Sequence, residues 1–255
     1  MSDVAYAVEA GIATITLNRP DARNRLTAEG MAQLISAFET AAGDPAARVV
    51  VLTGSGNTFC SGADLSAATG EGFAGAGPSA LVDLLAAMLD HPKPLIAKVQ
   101  GHVAGGGNGL VAACDLAVAS ADARFAFSEV RVGVAPAVIS VVCLAVMHRR
   151  AAQELLLTGE RVDADRVLEA GLLTSVVPAV GLDAAVQGLA EQLMAGGPEA
   201  LAHTKELLRR VPTLARDEAF AFTAEMSAER FSSAEAQEGM TAFLEKRPPA
   251  WLAPS

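Results

Sequence analysis

Aromatic residues are scarce: Phe, Trp and Tyr together make up 4% of the 255 residues, with a single Trp and a single Tyr. Few side chains are therefore available to stack on nucleic-acid bases. Positive charge is also in the minority, 19 Lys and Arg against 29 Asp and Glu, for a formal net charge of −10. A phosphate backbone needs a concentrated basic face, so nucleic-acid binding is not indicated, although a polyanionic ligand can still bind locally. Only three cysteines occur, Cys60, Cys114 and Cys143, with no CxxC pair. Neither a disulfide framework nor a thiolate zinc site is expected, and a reducing, cytoplasmic setting is. Gly, Pro or a charged residue interrupts every apolar run before the roughly 20 residues that a membrane span requires. The first ten residues carry Asp3 and Glu9 without a basic stretch and apolar core, so they do not read as a secretory signal.

What is present is apolar. Hydrophobic residues make up 51% of the chain and charged residues 19%, the balance of a packed globular protein. The first two thirds alternate strand and helix patterns. Residues 4–8 and 12–17 read as a hairpin across Ala10-Gly11. Thr27 can cap a helix whose apolar face is Met31, Leu34, Ile35 and Phe38. Residues 48–53, Arg-Val-Val-Val-Leu-Thr, form a short continuous apolar run, the pattern of a strand buried on both faces. A loop over 54–64 and a Gly/Ala-rich stretch over 67–78 follow, the latter read as mobile. A helix is expected over 79–90, a strand over 95–99, a helix opening from 101–109, and strands over 116–119 and 124–127. From Pro136 the pattern is mainly helical, and the last helix is expected to start at a capping box, Ser232-Ser233-Ala234-Glu235. The division expected is a core over 1–195 and a helical C-terminal region over 196–255, one functional unit.

Three segments can carry chemistry. Gly105-Gly106-Gly107-Asn108-Gly109 lies between an expected buried strand and a helix, where unpaired N–H groups can meet developing negative charge. It fits neither the dinucleotide nor the triphosphate loop motif, and close packing alone also explains it. The segment Cys60-Ser61-Gly62-Ala63-Asp64-Leu65 follows an apolar strand, the place where open α/β sheets bind ligands, though plain loop closure explains it nearly as well. Glu129 follows the apolar run Phe125-Ala126-Phe127. Desolvation there raises a carboxyl pKa toward acid–base work near neutrality, while pairing with Arg131 is the structural alternative. His102, beside the glycines, reads first as a packed, hydrogen-bonded residue. No His has ligand-like spacing to Cys or carboxylates, so no metal site is expected.

Together these segments resemble the enoyl-CoA hydratase/isomerase family, the crotonase superfamily. The likeness runs through F-C-S-G-A-D-L at 59–65, K-P-L-I-A-K-V-Q-G-H-V-A-G-G-G-N-G-L at 93–110 and A-R-F-A-F-S-E-V-R-V-G-V-A-P at 123–136. It also includes Asn18-Arg19-Pro20 near the start and residues 238–247 near the end. The resemblance implies an α/β fold, a crotonase-like spiral of ββα units with a helical C-terminal trimerisation region, and trimers that pair into hexamers. It implies a coenzyme A thioester as substrate, with no separate cofactor. The N–H groups of Ala63 and Gly106 match the family's oxyanion hole. Glu129 matches the second of its two glutamates, and the first falls on Gly109. Ser61, Asp64, Leu65 and Gly105 match positions around the thioester, and Arg23, Arg25 and Lys246 match positions near the CoA phosphates, Lys246 from a neighbouring subunit.

The glycine at 109 departs from two-carboxylate hydration. The stretch Pro136-Ala137-Val138-Ile139-Ser140 stands where P-G-x-G-G-T is more usual and is similar to hydratases of unusual acyl groups. The expected activity is hydration of a trans-2-enoyl-CoA. The alternatives are shift of a 3-enoyl to a 2-enoyl double bond with Glu129 as the one acid and base, or a silent acyl-CoA-binding subunit.

Overall fold

The computed structural model describes residues 2–63 and 71–252, with the side chains of 71–77 left undescribed. The chain opens with β1 (Val4–Glu9) and β2 (Ile12–Leu17), antiparallel across Ala10-Gly11, followed by α1 (Ala28–Gly43). Three ββα units come next. They are β3 (Val49–Gly54), β4 (Thr58–Cys60) and α2 (Glu71–Leu89); β5 (Leu95–Val99), β6 (His102–Ala104) and α3 (Gly106–Ala113); and β7 (Leu116–Ser120), β8 (Arg124–Ala126) and α4 (Ala137–Val146). Then follow α5 (Arg149–Thr158), β9 (Arg161–Asp163), α6 (Ala164–Glu169), β10 (Ser175–Val177), α7 (Leu182–Met194), α8 (Pro198–Arg210), α9 (Arg216–Ser232) and α10 (Ala234–Glu245).

The first strand of each unit enters one sheet, of order β1-β2-β3-β5-β7-β10, and the second strand enters another, of order β4-β6-β8-β9. Within each sheet the three units pair in parallel, so the chain advances one strand per turn of a spiral. The sequence of β3 shows why it is apolar throughout. Val50 and Leu52 face the main core with Phe38, Leu84 and Ile15, while Val49 and Val51 face a second cluster with Ile96, Val118 and Leu182 and Val186 of α7. Both faces of the sheet are covered, so alternation with polar residues is absent.

Local signals hold at several points. Thr27 Oγ1 accepts the Gly30 N–H at 3.0 Å and starts α1, whose Met31, Leu34 and Phe38 are buried as the helical spacing predicts. Three expectations need correction. The helix expected from 79 starts earlier, because α2 begins at Glu71 and runs through Pro78; residues 67–70 lie outside those described. Leu84, Leu85 and Met88 anchor its later turns in the core, and a helix once nucleated extends at little cost. The last helix is capped by Ser233, not Ser232: Ser233 Oγ accepts the Ala236 N–H at 3.2 Å. The Glu235 carboxylate turns instead to the start of α8, where it accepts the N–H groups of Glu199 at 2.9 Å and Ala200 at 2.8 Å. Finally, β4, β6, β9 and β10 interrupt segments read as loop or helix; at three residues each they are too short to show a period.

Candidate active site

Adjacent parallel strands end side by side, so the segments that follow β4, β6 and β8 are brought together at one edge of the smaller sheet. After β4 come Ser61, Gly62 and Ala63; after β6 come Gly105 and Gly106; after β8, a 3₁₀ turn over Ser128–Val132 carries Glu129. All of these line one cavity of about 390 Å³. Leu26, Met31, Pro78, Leu81, Val132, Val134 and residues 135–139 complete its described wall. The sequence reading missed this apolar lining, although Pro136, Ala137, Val138 and Ile139 stood in a quoted motif.

Backbone geometry fixes the approach of the first two loops. Gly62 has φ +86°, and a Cβ on it would lie 2.8 Å from the Ala104 carbonyl oxygen and 3.3 Å from the Gly106 nitrogen, so only glycine fits. Gly105 has φ +50° and ψ −124° as the cap of α3, which makes Gly106 the first helical residue, whose N–H has no intrahelical partner. The loop is tied down by Ala126, whose carbonyl oxygen accepts both the Gly105 N–H at 3.2 Å and Asn108 Nδ2 at 2.9 Å. Opposite, Leu26 N–H donates to the Gly62 carbonyl at 2.8 Å and Ser61 N–H to the Arg23 carbonyl at 3.1 Å, so residues 23–26 run beside 61–63. Neither the Ala63 nor the Gly106 N–H donates to a backbone carbonyl among the described residues. Asn24 anchors this segment from below. It is buried, its Oδ1 accepts the Arg19 N–H at 2.9 Å, and its Nδ2 donates to the Ser55 and Thr58 carbonyls at 3.0 and 2.7 Å.

Glu129 sits over the glycines: a Cβ on Gly105 would be 3.5 Å from its Oε1. Its Oε2 is buried without a hydrogen-bond partner, and burial raises its pKa above the ordinary carboxylate value. The alternative in which Arg131 neutralises it is not realised, since no ion pair joins the two among the described residues, and Arg131 is exposed with its Cγ toward Gly159. Behind the loops lie two thiols. Cys60 and Cys143 are buried, Cys143 Sγ lies 3.8 Å from the Asn108 carbonyl oxygen, and burial pushes both thiols up to about 12.

Other candidates fall elsewhere. His102 is exposed and accepts a hydrogen bond from Arg161 Nη2 at 2.7 Å on Nδ1, away from the cavity lining. Lys246 caps α10 with φ +55° and is exposed, and neither it nor the Arg23 and Arg25 side chains belongs to the cavity wall. Asp64 and Leu65 lie outside the described residues. Among the described residues no group of three or more His, Cys, Asp or Glu is placed to hold a metal ion, and no helix is long and apolar enough to cross a membrane.

The architecture agrees with that of known proteins. Enoyl-CoA hydratase EchA19 of Mycobacterium tuberculosis is 37% identical over 243 residues, covering 92% of this chain and 91% of that protein. The 2,3-dehydroadipyl-CoA hydratase of Escherichia coli is 32% identical over 251 residues, 98% of either chain. A crystal structure of an enoyl-CoA hydratase from Mycobacterium smegmatis superposes with a TM-score of 0.92 at 36% identity, covering 98% of this chain and 99% of that one. The pattern of the Enoyl-CoA hydratase/isomerase family matches residues 7–254, nearly the whole spiral and its helical extension. A spiral of ββα units whose three loop junctions meet at one cavity, matched along its full length, makes this chain a member of the enoyl-CoA hydratase/isomerase family.

Proposed function

We propose that the protein adds water across the 2,3-double bond of a trans-2-enoyl-CoA, giving the 3-hydroxyacyl thioester. The observation that carries this reading is the convergence of Ala63, Gly106 and one desolvated carboxylate, Glu129, on an apolar cavity. The thioester carbonyl oxygen accepts the Ala63 and Gly106 N–H groups, which hold the charge that arrives when C3 is attacked. Ionised Glu129 takes a proton from water as the water oxygen bonds to C3, and the enolate then recovers a proton at C2 from Glu129. The carboxylate ends as it began. A carboxyl group with a raised pKa suits both halves, because it is a stronger base than an exposed glutamate and still gives the proton back.

The rest of the substrate and the assembly belong to the same reading. The chain carries a net charge of −10, so CoA phosphates require local cations, and Arg23, Arg25 and Lys246 are the residues assigned to them. Phe243 is 83% and Leu244 79% exposed on α10, large apolar surfaces that suit burial against further copies in a homotrimer or a dimer of trimers. The single carboxylate also favours a second reading, transfer of a proton between C2 and C4 in double-bond migration. Turnover in ¹⁸O-labelled water separates them. Hydration incorporates oxygen at C3, migration moves the double bond without oxygen, and CoA-ester binding with no turnover on short, long or branched enoyl-CoA makes the protein a silent binding subunit.

A further inference from the structure

Glu129 is the one ionisable side chain in the described cavity wall, and the geometry of α3 explains why a second does not join it. Gly109 follows Gly106 by three residues, so the two lie on the same face of the helix. After Gly106 itself, position 109 is the next on this face of α3. A Cβ at Gly109 would lie 2.6 Å from Ile139 Cγ2, 3.1 Å from Ile139 Cβ and 3.7 Å from Leu85 Cδ1. Ile139 is 2% exposed and itself lines the cavity, whereas Gly109 is buried behind it and is absent from the described lining. The contacts fall on the Cγ2 methyl and the branched Cβ of Ile139, close to its backbone in the first turn of α4. A β-branched side chain in a helix has one strongly preferred χ1, so it has no second position to move to.

We propose that Ile139 is the residue that holds this site to one carboxylate, by filling the space through which a side chain at position 109 would enter the cavity. Gly109 and Ile139 are a matched pair: glycine leaves room for isoleucine, and isoleucine closes the wall in apolar material. Water is then positioned and deprotonated by Glu129 alone, and the acid–base work of the enzyme passes through one ionisation. The inference rests on the hydration reading for its chemistry and on packing alone for the pairing.

The test is a double-mutant cycle with two readouts. Gly109→Ala and Gly109→Glu, alone and with Ile139→Ala, are followed by melting temperature and by the pH dependence of kcat/KM on a short enoyl-CoA. Either substitution at 109 alone is expected to lower the melting temperature by about 5 °C or more, and Ile139→Ala to cost less in that background than in the wild type, the non-additivity of groups in contact. The wild type is expected to show one ionisation in kcat/KM, and Gly109→Glu/Ile139→Ala a second one. Gly109→Glu with wild-type stability, or additive losses throughout the cycle, overturns the pairing. If Gly109→Glu/Ile139→Ala does not fold, Gly109→Ala/Ile139→Ala still decides it. Two ionisations of carboxylate character in the wild type overturn the single-carboxylate assignment. Failure of the hydration reading is a separate result, absence of ¹⁸O uptake by the wild type, and the melting-temperature cycle reads the pairing whatever reaction the wild type performs.

Discussion

Gly106→Pro removes the Gly106 N–H and sets the ring Cδ in its place. Gly106 is the first residue of α3, the one helical position where proline is tolerated, because its N–H has no helical partner and proline's φ suits the turn. Gly105 before it is non-helical, so the restriction that proline places on its predecessor is met. Gly106→Ala is the control that adds the Cβ and keeps the N–H. That Cβ would meet Leu26 Cδ1 at 3.1 Å, Leu81 Cδ2 at 3.7 Å and Gly62 Cα at 3.9 Å. The tight contact is with the end of a flexible side chain, which can give by a few tenths of an ångström, so the alanine variant should fold and keep turnover within about tenfold of wild type. Loss of one oxyanion donor costs roughly 10²–10³ in rate, about 2.7–4 kcal/mol, and Gly106→Pro, whose Cδ also crowds the oxygen, should fall below Gly106→Ala by at least that factor. The assay is decay of the conjugated enoyl-thioester absorbance, with binding of a CoA ester and melting temperature measured on the same preparations. Two folded variants with equal turnover would remove the Gly106 N–H from the mechanism.

Glu129→Gln should lower turnover by roughly 10²–10⁴ with little change in CoA-ester affinity. Because burial raises the folded-state pKa of Glu129, the protonated form is the one folding favours; its stability contribution is present at low pH and lost as pH rises through the folded pKa. The melting temperature of Glu129→Gln should therefore gain on wild type between pH 4 and pH 8, and a uniform loss would show that the carboxylate is paired after all. In the wild type, kcat/KM should rise with pH through a midpoint above the ordinary carboxylate range and then level off; a midpoint at or below that range would contradict the role of Glu129 as base. Apart from Glu129 the described cavity wall is uncharged, and residues 64–77 contain no Lys, Arg or His. Enoyl-CoA substrates whose acyl chain ends in a carboxylate should have kcat/KM at least tenfold below neutral chains of equal length, since an unpaired carboxylate resists burial; comparable values would refute this. Asn24→Ala leaves one buried and two half-buried backbone groups without their partner and should cost about 2–3 kcal/mol, roughly 5–10 °C in melting temperature, which a thermal melt reads directly.

Much of the fold was legible because its signals are local. The Ala10-Gly11 hairpin, the Thr27 cap and the uninterrupted apolar residues of β3 each carry their cause within a few residues. In the smaller sheet β8 was legible as the run at 124–127, but β4, β6 and β9 were not, because their pairing is set by the spiral and not by their own composition. Glu235 shows the same limit at a helix end: its spacing from Ser232 suggests a local cap, yet the carboxylate serves α8, 35 and 36 residues away in sequence. The glycines and Glu129 could be found as candidates, since backbone freedom and an apolar approach to a carboxylate are visible in sequence. The contact of Ile139 with Gly109 could not, because it joins two helices whose relative placement only the folded chain supplies.

The two thiols behind the site bear on the substrate's own reactivity. A CoA thioester is an acyl donor, and a nearby thiolate is its natural acceptor, leading to an acylated protein and free CoA. With pKa values pushed up to about 12, Cys60 and Cys143 hold only roughly one thiolate in 10⁵ at neutral pH. Packed as protonated apolar side chains under the glycine loop, they leave water as the nucleophile with access to the bound acyl group. Burial thus separates two chemistries that share one electrophile.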